Sequence, residues 1–147
     1  DIMQTIHYFL HTLTIGKHLS ELDFLACIIA AAVHDYDHPG LTNAFLIKTS
    51  AELAILYNDR SVLENHHLTS VFLLLQDPQY NILEPLPNAS KTYLREQIIT
   101  MVLATDLSQH FSFLAEIKTS ILKSNATKKP PSPLVYNCTT NTHTCLK

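Results

Sequence analysis

Ten consecutive apolar residues, 24–33, constrain this 147-residue chain more than any other feature, because they end directly at His34 and Asp35. The run is too short to span a bilayer. As a helix it would be apolar on nearly every side, which indicates a position among other helices. Ser20 and Asp23 have the spacing of a capping box and predict where this helix begins. We therefore expect a buried central helix with polar side chains at its C-terminal end.

The segments on either side of this run also show helical periodicity. Residues 2–13 place apolar side chains at intervals of three and four, which predicts an amphipathic helix. Capping-box patterns at Thr49–Glu52 and Ser61–Glu64 predict two further helix starts, and Ser90 predicts another after a proline-containing loop. No stretch alternates convincingly with a period of two. The predicted fold class is therefore all-α, a compact multi-helix bundle.

The C-terminal part of the chain differs in character. A last amphipathic helix is expected to begin near Asp106 or Ser108 and to end near Lys123. From residue 124 onward, lysines, prolines and small polar residues replace the apolar pattern. We expect a folded domain over residues 1–123 and an irregular or disordered tail over residues 124–147, whose native status the sequence leaves open.

Composition excludes several classes of function. The net charge is −3 with the nine histidines counted neutral, so no strong field favours nucleic acid or an anionic membrane as a partner. Three cysteines do not form the disulfide framework of a small secreted domain, and we expect a cytoplasmic protein. Cys27 lies in the apolar run and is expected to be an inert core thiol. A disulfide between Cys138 and Cys145 stays an open alternative.

The stretch 34–40, His-Asp-Tyr-Asp-His-Pro-Gly, holds the most informative chemistry. Histidine and aspartate are poor core residues unless they are paired or bind a metal ion. His34 and His38 share one face if the helix continues that far. Imidazole nitrogen and carboxylate oxygen suit zinc, or zinc with a harder second ion such as magnesium. A solvated, polar helix end is the competing interpretation, and this stretch alone favours neither.

Two later clusters carry similar chemistry. Glu64 and His67 share a face of a helix that should be buried, so both need partners. A network of metal-bound water would supply them, although Glu64 also fits the third position of a capping box. His66 would face elsewhere and is expected to be structural. In the third cluster, Thr105 could hold a metal-bound water and Leu107 could line a pocket, whereas ordinary helix punctuation explains this segment almost as well.

These residues belong to three motifs that together resemble the signatures of class I cyclic-nucleotide phosphodiesterases. The order and spacing of the motifs agree with that family over about residues 1–122. The three motifs are His34-Asp35-x-x-His38-x-Gly40-x-x-Asn43-x-Phe45, the stretch Ala-Ile-Leu-Tyr-Asn-Asp-Arg-Ser-Val-Leu-Glu-Asn-His-His over 54–67, and Leu-Ala-Thr-Asp-Leu-Ser-x-His over 103–110. The resemblance implies an incomplete HD-type catalytic bundle that hydrolyses cAMP, cGMP or both to 5′-nucleoside monophosphates in signal transduction.

The resemblance also implies two divalent metal ions and a role for each matching residue. His34 would be a ligand of zinc. Asp35 would ligate zinc and bridge to a second ion, magnesium or manganese. Leu107 matches a position in the wall of the substrate pocket. The positions that hold metal-bound water correspond to His38, Glu64, His67 and Thr105.

Other parts of the family pattern have no counterpart. Two upstream histidines, one a zinc ligand and one that protonates the leaving oxygen, would precede Asp1, and His7 and His11 do not match them. A downstream metal-ligating aspartate and a purine-binding glutamine are also absent. We therefore expect a fragment truncated at both ends, with two direct metal ligands and little or no turnover of its own.

Two other interpretations stay open. Another HD-type nucleotide phosphohydrolase would share the His-Asp chemistry, but it would not explain the second and third motifs. A non-catalytic helical remnant would have no need to keep His34 and Asp35 as ligands. The subfamily is also open, because some segments resemble the calmodulin-dependent branch and others the cAMP-specific branch. The oligomeric state cannot be inferred from the sequence.

Overall fold

In a computed structural model, the described residues are 1–12 and 14–127, and all regular elements among them are helical. The predicted all-α class is thus confirmed for this range. No single helix in it is both long and apolar enough to cross a membrane, and one consecutive pair, 88–103 with 107–123, passes such a test only when counted together. The elements are α1 (Ile2–Thr12), a 3₁₀ turn (Thr14–His18), α2 (Glu21–Val33), α3 (Asn43–Lys48), α4 (Glu52–Leu56), α5 (Val62–Leu74), α6 (Asn88–Leu103), a 3₁₀ turn (Leu107–Gln109) and α7 (His110–Thr127).

The chain divides into two compact units, residues 1–106 and residues 107–147. The first unit contains α1 to α6. The described part of the second unit consists of the short 3₁₀ turn and α7, which continues to Thr127, four residues past its predicted end. The predicted tail beyond that point, with Cys138 and Cys145, lies outside the described residues. The predicted boundary between residues 123 and 124 stays a prediction.

The core of the first unit is built around α2. As the apolar run predicts, α2 contacts three other helices, α1, α5 and α6. Leu94 and Ile98 of α6 are fully buried, and burial of such a side chain contributes about 1.5–3 kcal/mol. This core consists of Ala26, Ile29, Ala30, Leu68, Leu83, Leu94, Ile98 and Val102, and a second, smaller cluster of Leu46, Ala54, Val62 and Leu63 joins α3, α4 and the start of α5.

Cys27 takes the structural place that the apolar run predicts. It is half-buried on α2, and its Sγ lies 3.7 Å from the Sδ of Met101 on α6. Burial first, and then the negative charge of Asp23, raises the pKa of the thiol. A protonated thiol is a weak nucleophile and a weak ligand, so Cys27 acts as packing material.

The helix starts show which of the predicted capping boxes form the expected hydrogen bonds. The capping box of α2 is confirmed, because the Asp23 N–H donates to Ser20 Oγ at 3.2 Å and the Ser20 N–H donates to Asp23 Oδ2 at 2.8 Å. The capping box predicted at Thr49 is wrong. The Thr49 hydroxyl instead donates to the carbonyl of Phe45 at 2.9 Å, so Thr49 ends α3, and α4 begins after Ala51 without a side-chain cap.

The start predicted at Ser90 is also wrong. Helix α6 begins at Asn88, and Pro87 is its N-cap with φ of −58°. Because the proline ring already holds φ near the helical value, the N-cap lies at Pro87, three residues earlier than the serine suggests. The carbonyl of Pro87 then accepts the Lys91 N–H at 3.0 Å.

Helix α2 ends at Val33, so the condition under which His34 and His38 would share a helical face is not met. The Tyr36 N–H closes a turn on the carbonyl of Val33 at 3.0 Å, and Asp37 has a left-handed φ of 59°. A left-handed residue cannot continue a right-handed helix. His34 and His38 therefore project from a turn instead of from one helical face.

One polar contact ties α6 to the N-terminus of α2. The Tyr93 hydroxyl donates to Asp23 Oδ1, and the same carboxylate belongs to the capping box of Ser20. Burial alone would raise the pKa of Asp23, but the hydrogen bonds from Tyr93 and Ser20 outweigh burial and lower it. The hydrogen bond to Asp23 also raises the pKa of Tyr93 to about 12. The contact therefore stabilises the fold most strongly while the carboxylate is ionised.

We predict that Tyr93→Phe lowers the free energy of unfolding by about 1 kcal/mol at neutral pH, because it removes one partner of this hydrogen bond. The pKa of Asp23 lies below 3.8 in the fold, so the difference from wild type should shrink as the pH falls through that folded value. Urea unfolding at neutral and acidic pH measures both effects. Tyr80→Phe is the control, since the described residues offer the Tyr80 hydroxyl no hydrogen bond; an equal loss there would contradict the prediction.

Candidate metal and catalytic site

His34 and Asp35 lie side by side in the turn that follows α2. The Nδ1 of His34 is 3.0 Å from the carbonyl oxygen of Ala31, which can only accept, so Nδ1 carries a proton. The Nε2 of the same ring lies 3.2 Å from Asp35 Oδ2. In the neutral ring Nε2 then presents a lone pair to a carboxylate oxygen. A proton on Nε2 or a metal ion shared by the two atoms would remove the repulsion between these acceptors.

His67 approaches the same carboxylate from α5. It is only 2% exposed, and its Nδ1 lies 2.7 Å from the carbonyl oxygen of Tyr36. Its Nε2 is 3.9 Å from Asp35 Oδ1. Each oxygen of Asp35 thus faces the Nε2 atom of one histidine, and each of these histidines is oriented by a backbone carbonyl. Backbone carbonyls orient metal-ligating histidines in the same way.

The separation of these atoms fits a shared metal ion. Zinc lies about 2.0–2.2 Å from histidine nitrogen and carboxylate oxygen, and a tetrahedral angle then puts the two ligand atoms about 3.4 Å apart. The observed 3.2 Å between His34 Nε2 and Asp35 Oδ2 is close to that value. Over the described residues, no three histidine, cysteine or carboxylate side chains are grouped so that they could hold a metal ion. His34 and Asp35 therefore fit one side of a coordination shell that needs further ligands.

His38 and His66 lie beside this pair. The ring of His38 stacks on His67 with centroids 5.5 Å apart, and its Nδ1 accepts the Gly40 N–H at 2.9 Å. In neutral His38 the proton is therefore on Nε2, which is a donor. His66 Nε2 instead lies 2.9 Å from Asp37 Oδ2 and 3.1 Å from the carbonyl oxygen of Asp37. His66 thus contacts the turn rather than Asp35, in keeping with a structural role.

Glu64 is held by a residue that our reading of the sequence missed. Its Oε2 accepts a hydrogen bond from Asn43 Nδ2 at 2.9 Å, and Asn43 Oδ1 accepts the Leu63 N–H at 2.8 Å. The capping box predicted at Ser61 and Glu64 is wrong, because Ser61 is left-handed at φ 41° and donates to Asp106 Oδ2 at 2.7 Å. Asn43 occurs in the first motif, and that was the only sequence signal for it.

The third cluster lies at the end of α6 and in the 3₁₀ turn that follows it. The Thr105 hydroxyl is exposed and donates to the carbonyl of Val102 at 2.7 Å, which is ordinary geometry for the end of a helix. Leu107 begins the second unit and is 83% exposed. The metal-water role of Thr105 and the pocket role of Leu107 stay predictions.

A histidine and an aspartate side by side after a helix supply the nitrogen and oxygen donors with which a metal ion could assist hydrolysis. The sequence profile of the family described as 3′5′-cyclic nucleotide phosphodiesterase matches residues 1–146. The chain therefore belongs to this family, as the three motifs indicated. Members of the family generally use divalent metal ions.

Individual relatives come from two branches. The chain is 49% identical over 130 residues to the human dual specificity calcium/calmodulin-dependent 3′,5′-cyclic nucleotide phosphodiesterase 1B, and 51% identical over 121 residues to the bovine protein of that name. It is 49% identical over 121 residues to the rat 3′,5′-cyclic-AMP phosphodiesterase 4C. These alignments cover 82–88% of this chain but 23–24% of the relatives. The chain thus spans about a quarter of their length.

We predict that His67 is neutral with its proton on Nδ1 in the metal-free protein. Burial lowers its pKa below 6.5 and outweighs the opposing effects of the Tyr36 carbonyl and the Asp35 charge. A histidine whose pKa is lower in the fold than in the unfolded chain contributes stability at pH values above the unfolded pKa, which is about 6.5. This contribution is lost as the pH falls through the lower pKa of the folded state. Long-range proton–nitrogen NMR of the ring checks the tautomer.

The control for the pH effect is His67→Asn, which keeps an N–H for the Tyr36 carbonyl but cannot ionise. The loss of unfolding free energy on acidification should be smaller in this variant than in the wild type. A doubly protonated His67 ring at neutral pH would contradict the prediction.

Proposed function

We propose that the protein containing this chain hydrolyses 3′,5′-cyclic nucleotides to 5′-nucleoside monophosphates. The observation that carries the proposal is the approach of His34 Nε2 and His67 Nε2 to the two oxygens of Asp35, in a member of the phosphodiesterase family. The relatives are named for dual specificity and for cyclic AMP, so the proposal covers cAMP and cGMP.

The proposed cofactors are two divalent ions, zinc with magnesium or manganese. His34 and Asp35 would hold zinc, and the second oxygen of Asp35, which lies 3.9 Å from His67 Nε2, would serve the other ion. Imidazole nitrogen together with carboxylate oxygen suits zinc, and carboxylate oxygen suits magnesium. When bound, such ions lower the pKa of water and neutralise charge on a phosphoryl group.

The surrounding side chains would orient the reactants. His38 presents a donor at Nε2 because its Nδ1 is occupied by the Gly40 N–H. Glu64 presents an acceptor, and with His67 it lies on one face of α5. Together they would align a water molecule and hold its proton, with Thr105 as a further hydrogen-bonding group and Leu107 in the wall of the substrate pocket.

The proposed setting is the cytoplasm, with the cyclic nucleotide as the partner and neither nucleic acid nor membrane. The net charge of −3 and the odd number of cysteines support this setting. Fractionation of cells that express the tagged protein tests it, and recovery in the membrane pellet would overturn it.

We predict that the protein expressed from the complete transcript hydrolyses cAMP or cGMP when zinc and magnesium are supplied. Asp35→Asn should lower kcat/KM by at least about a hundredfold, because it removes the charge that faces both histidines. Product analysis by chromatography of cyclic and linear nucleotides distinguishes this activity from that of another HD-type phosphohydrolase. Hydrolysis of linear nucleotides only would overturn the proposal.

We further predict little or no turnover from residues 1–147 alone, because their described part lacks a three-ligand metal cluster. In the complete protein, His34→Ala should weaken zinc binding in calorimetry. His18→Ala, an exposed histidine on the first 3₁₀ turn, is the matched control and should leave zinc binding unchanged. Robust turnover by the 147-residue chain, or equal effects of the two histidine variants, would contradict these predictions.

A further inference from the structure

We propose that Asn43 is a positioning residue of this site, which caps α5 from a distance and aims the carboxylate of Glu64 with the same amide. Its effect on catalysis rests on the function proposed above. The two hydrogen bonds themselves are seen in the structure: Leu63 N–H to Asn43 Oδ1 at 2.8 Å and Asn43 Nδ2 to Glu64 Oε2 at 2.9 Å.

Helix α5 lacks a cap of its own. The first N–H groups of a helix have no partner within it and need an acceptor from elsewhere. Ser61 is the N-cap residue, but its left-handed backbone at φ 41° and ψ 52° makes no side-chain cap. Its hydroxyl is committed to Asp106 Oδ2 at 2.7 Å. The Leu63 N–H is therefore satisfied by a side chain 20 residues earlier in the chain.

Asn43 is well anchored for this task. It is the first residue of α3, whose N-cap Thr42 accepts the Phe45 N–H at 3.2 Å. Leu46 of α3 is buried in the same cluster as Val62 and Leu63 of α5. The backbone of Asn43 and the start of α5 are thus fixed to each other by packing, so the amide adds direction to an existing contact.

Only an amide performs both functions at once. Its oxygen accepts from the backbone N–H, and its nitrogen donates to the carboxylate. An aspartate in this place would keep the first contact and oppose Glu64 with like charge. Glu64 and His67 lie on one face of α5, and His67 faces Asp35. The orientation of the first turn of α5 therefore directly affects how these side chains are placed at the site.

The test uses the protein expressed from the complete transcript, with kcat, KM and metal-free thermal unfolding as readouts. Asn65 provides a matched control, because its Nδ2 donates to the carbonyls of Arg60 and Ser61, both at 3.0 Å, and does not touch Glu64. We expect Asn43→Ala to lower kcat about tenfold with KM changed less than about twofold. Asn65→Ala should lower the unfolding temperature but leave kcat within about twofold of wild type.

Exchanging the amide and the carboxylate between positions 43 and 64 tests the contact independently of activity; this double variant is called the swap. Asn43→Asp should lower both kcat and the unfolding temperature through repulsion of Glu64. Adding Glu64→Gln restores a donor and an acceptor in reversed order, so the double variant should unfold at a higher temperature than Asn43→Asp alone while its kcat stays low. Equal kcat losses in Asn43→Ala and Asn65→Ala, or no recovery in the swap, would overturn the inference.

Failure of the inference and failure of the proposed function are separable. If the wild type hydrolyses cyclic nucleotides and Asn43→Ala matches Asn65→Ala, the function stands and the positioning role falls. If the wild type does not hydrolyse them, the proposed function falls and takes the catalytic part of the inference with it. The thermal recovery of the swap would then support the structural contact alone.

Discussion

The buried ring of His67 connects the parts on which the site depends. Its Nδ1 contacts the Tyr36 carbonyl in the turn after α2, and its Nε2 points toward Asp35 in the same turn. Because the ring is only 2% exposed, burial favours its neutral form, which keeps one nitrogen as donor and the other as acceptor. A single side chain of α5 therefore fixes both the shape of the turn and the direction of a lone pair.

Much of the fold was predictable from sequence because it depends on local patterns of burial. The apolar run 24–33 gives the central helix, and Ser20 with Asp23 gives its start, since a capping box is satisfied within four residues. Thr49 and Ser61 carry equally good local patterns, but their hydroxyls bond to other groups. The Thr49 hydroxyl bonds to a carbonyl four residues earlier, and the Ser61 hydroxyl bonds to Asp106, 45 residues later. A local capping pattern therefore fails wherever another group takes the hydroxyl.

The sequence motifs indicated which residues form the candidate site, but they predicted only part of its geometry. The motifs pointed to His34, Asp35 and His67, which the structure brings together. They did not indicate that α2 stops at Val33, because a left-handed Asp37 is a property of the folded turn. They gave no role to Asn43, whose partners lie 20 and 21 residues further along the chain. A chain that spans about a quarter of its relatives' length thus contains hydrogen bonds around His34 and Asp35, although its described residues contain no group of three potential metal ligands.

Gly40 has a further consequence for the chemistry of His38. Its N–H donates to His38 Nδ1, its own φ is 74°, and there is open space where a Cβ would lie. Bulk would therefore not exclude a larger residue; the unfavourable backbone torsion would. If the turn shifted to relieve that torsion and carried the N–H away, Nδ1 would lose its donor and the ring would be free to exchange tautomers. A residue without a side chain thus selects which nitrogen of a neighbouring imidazole offers a proton to the site.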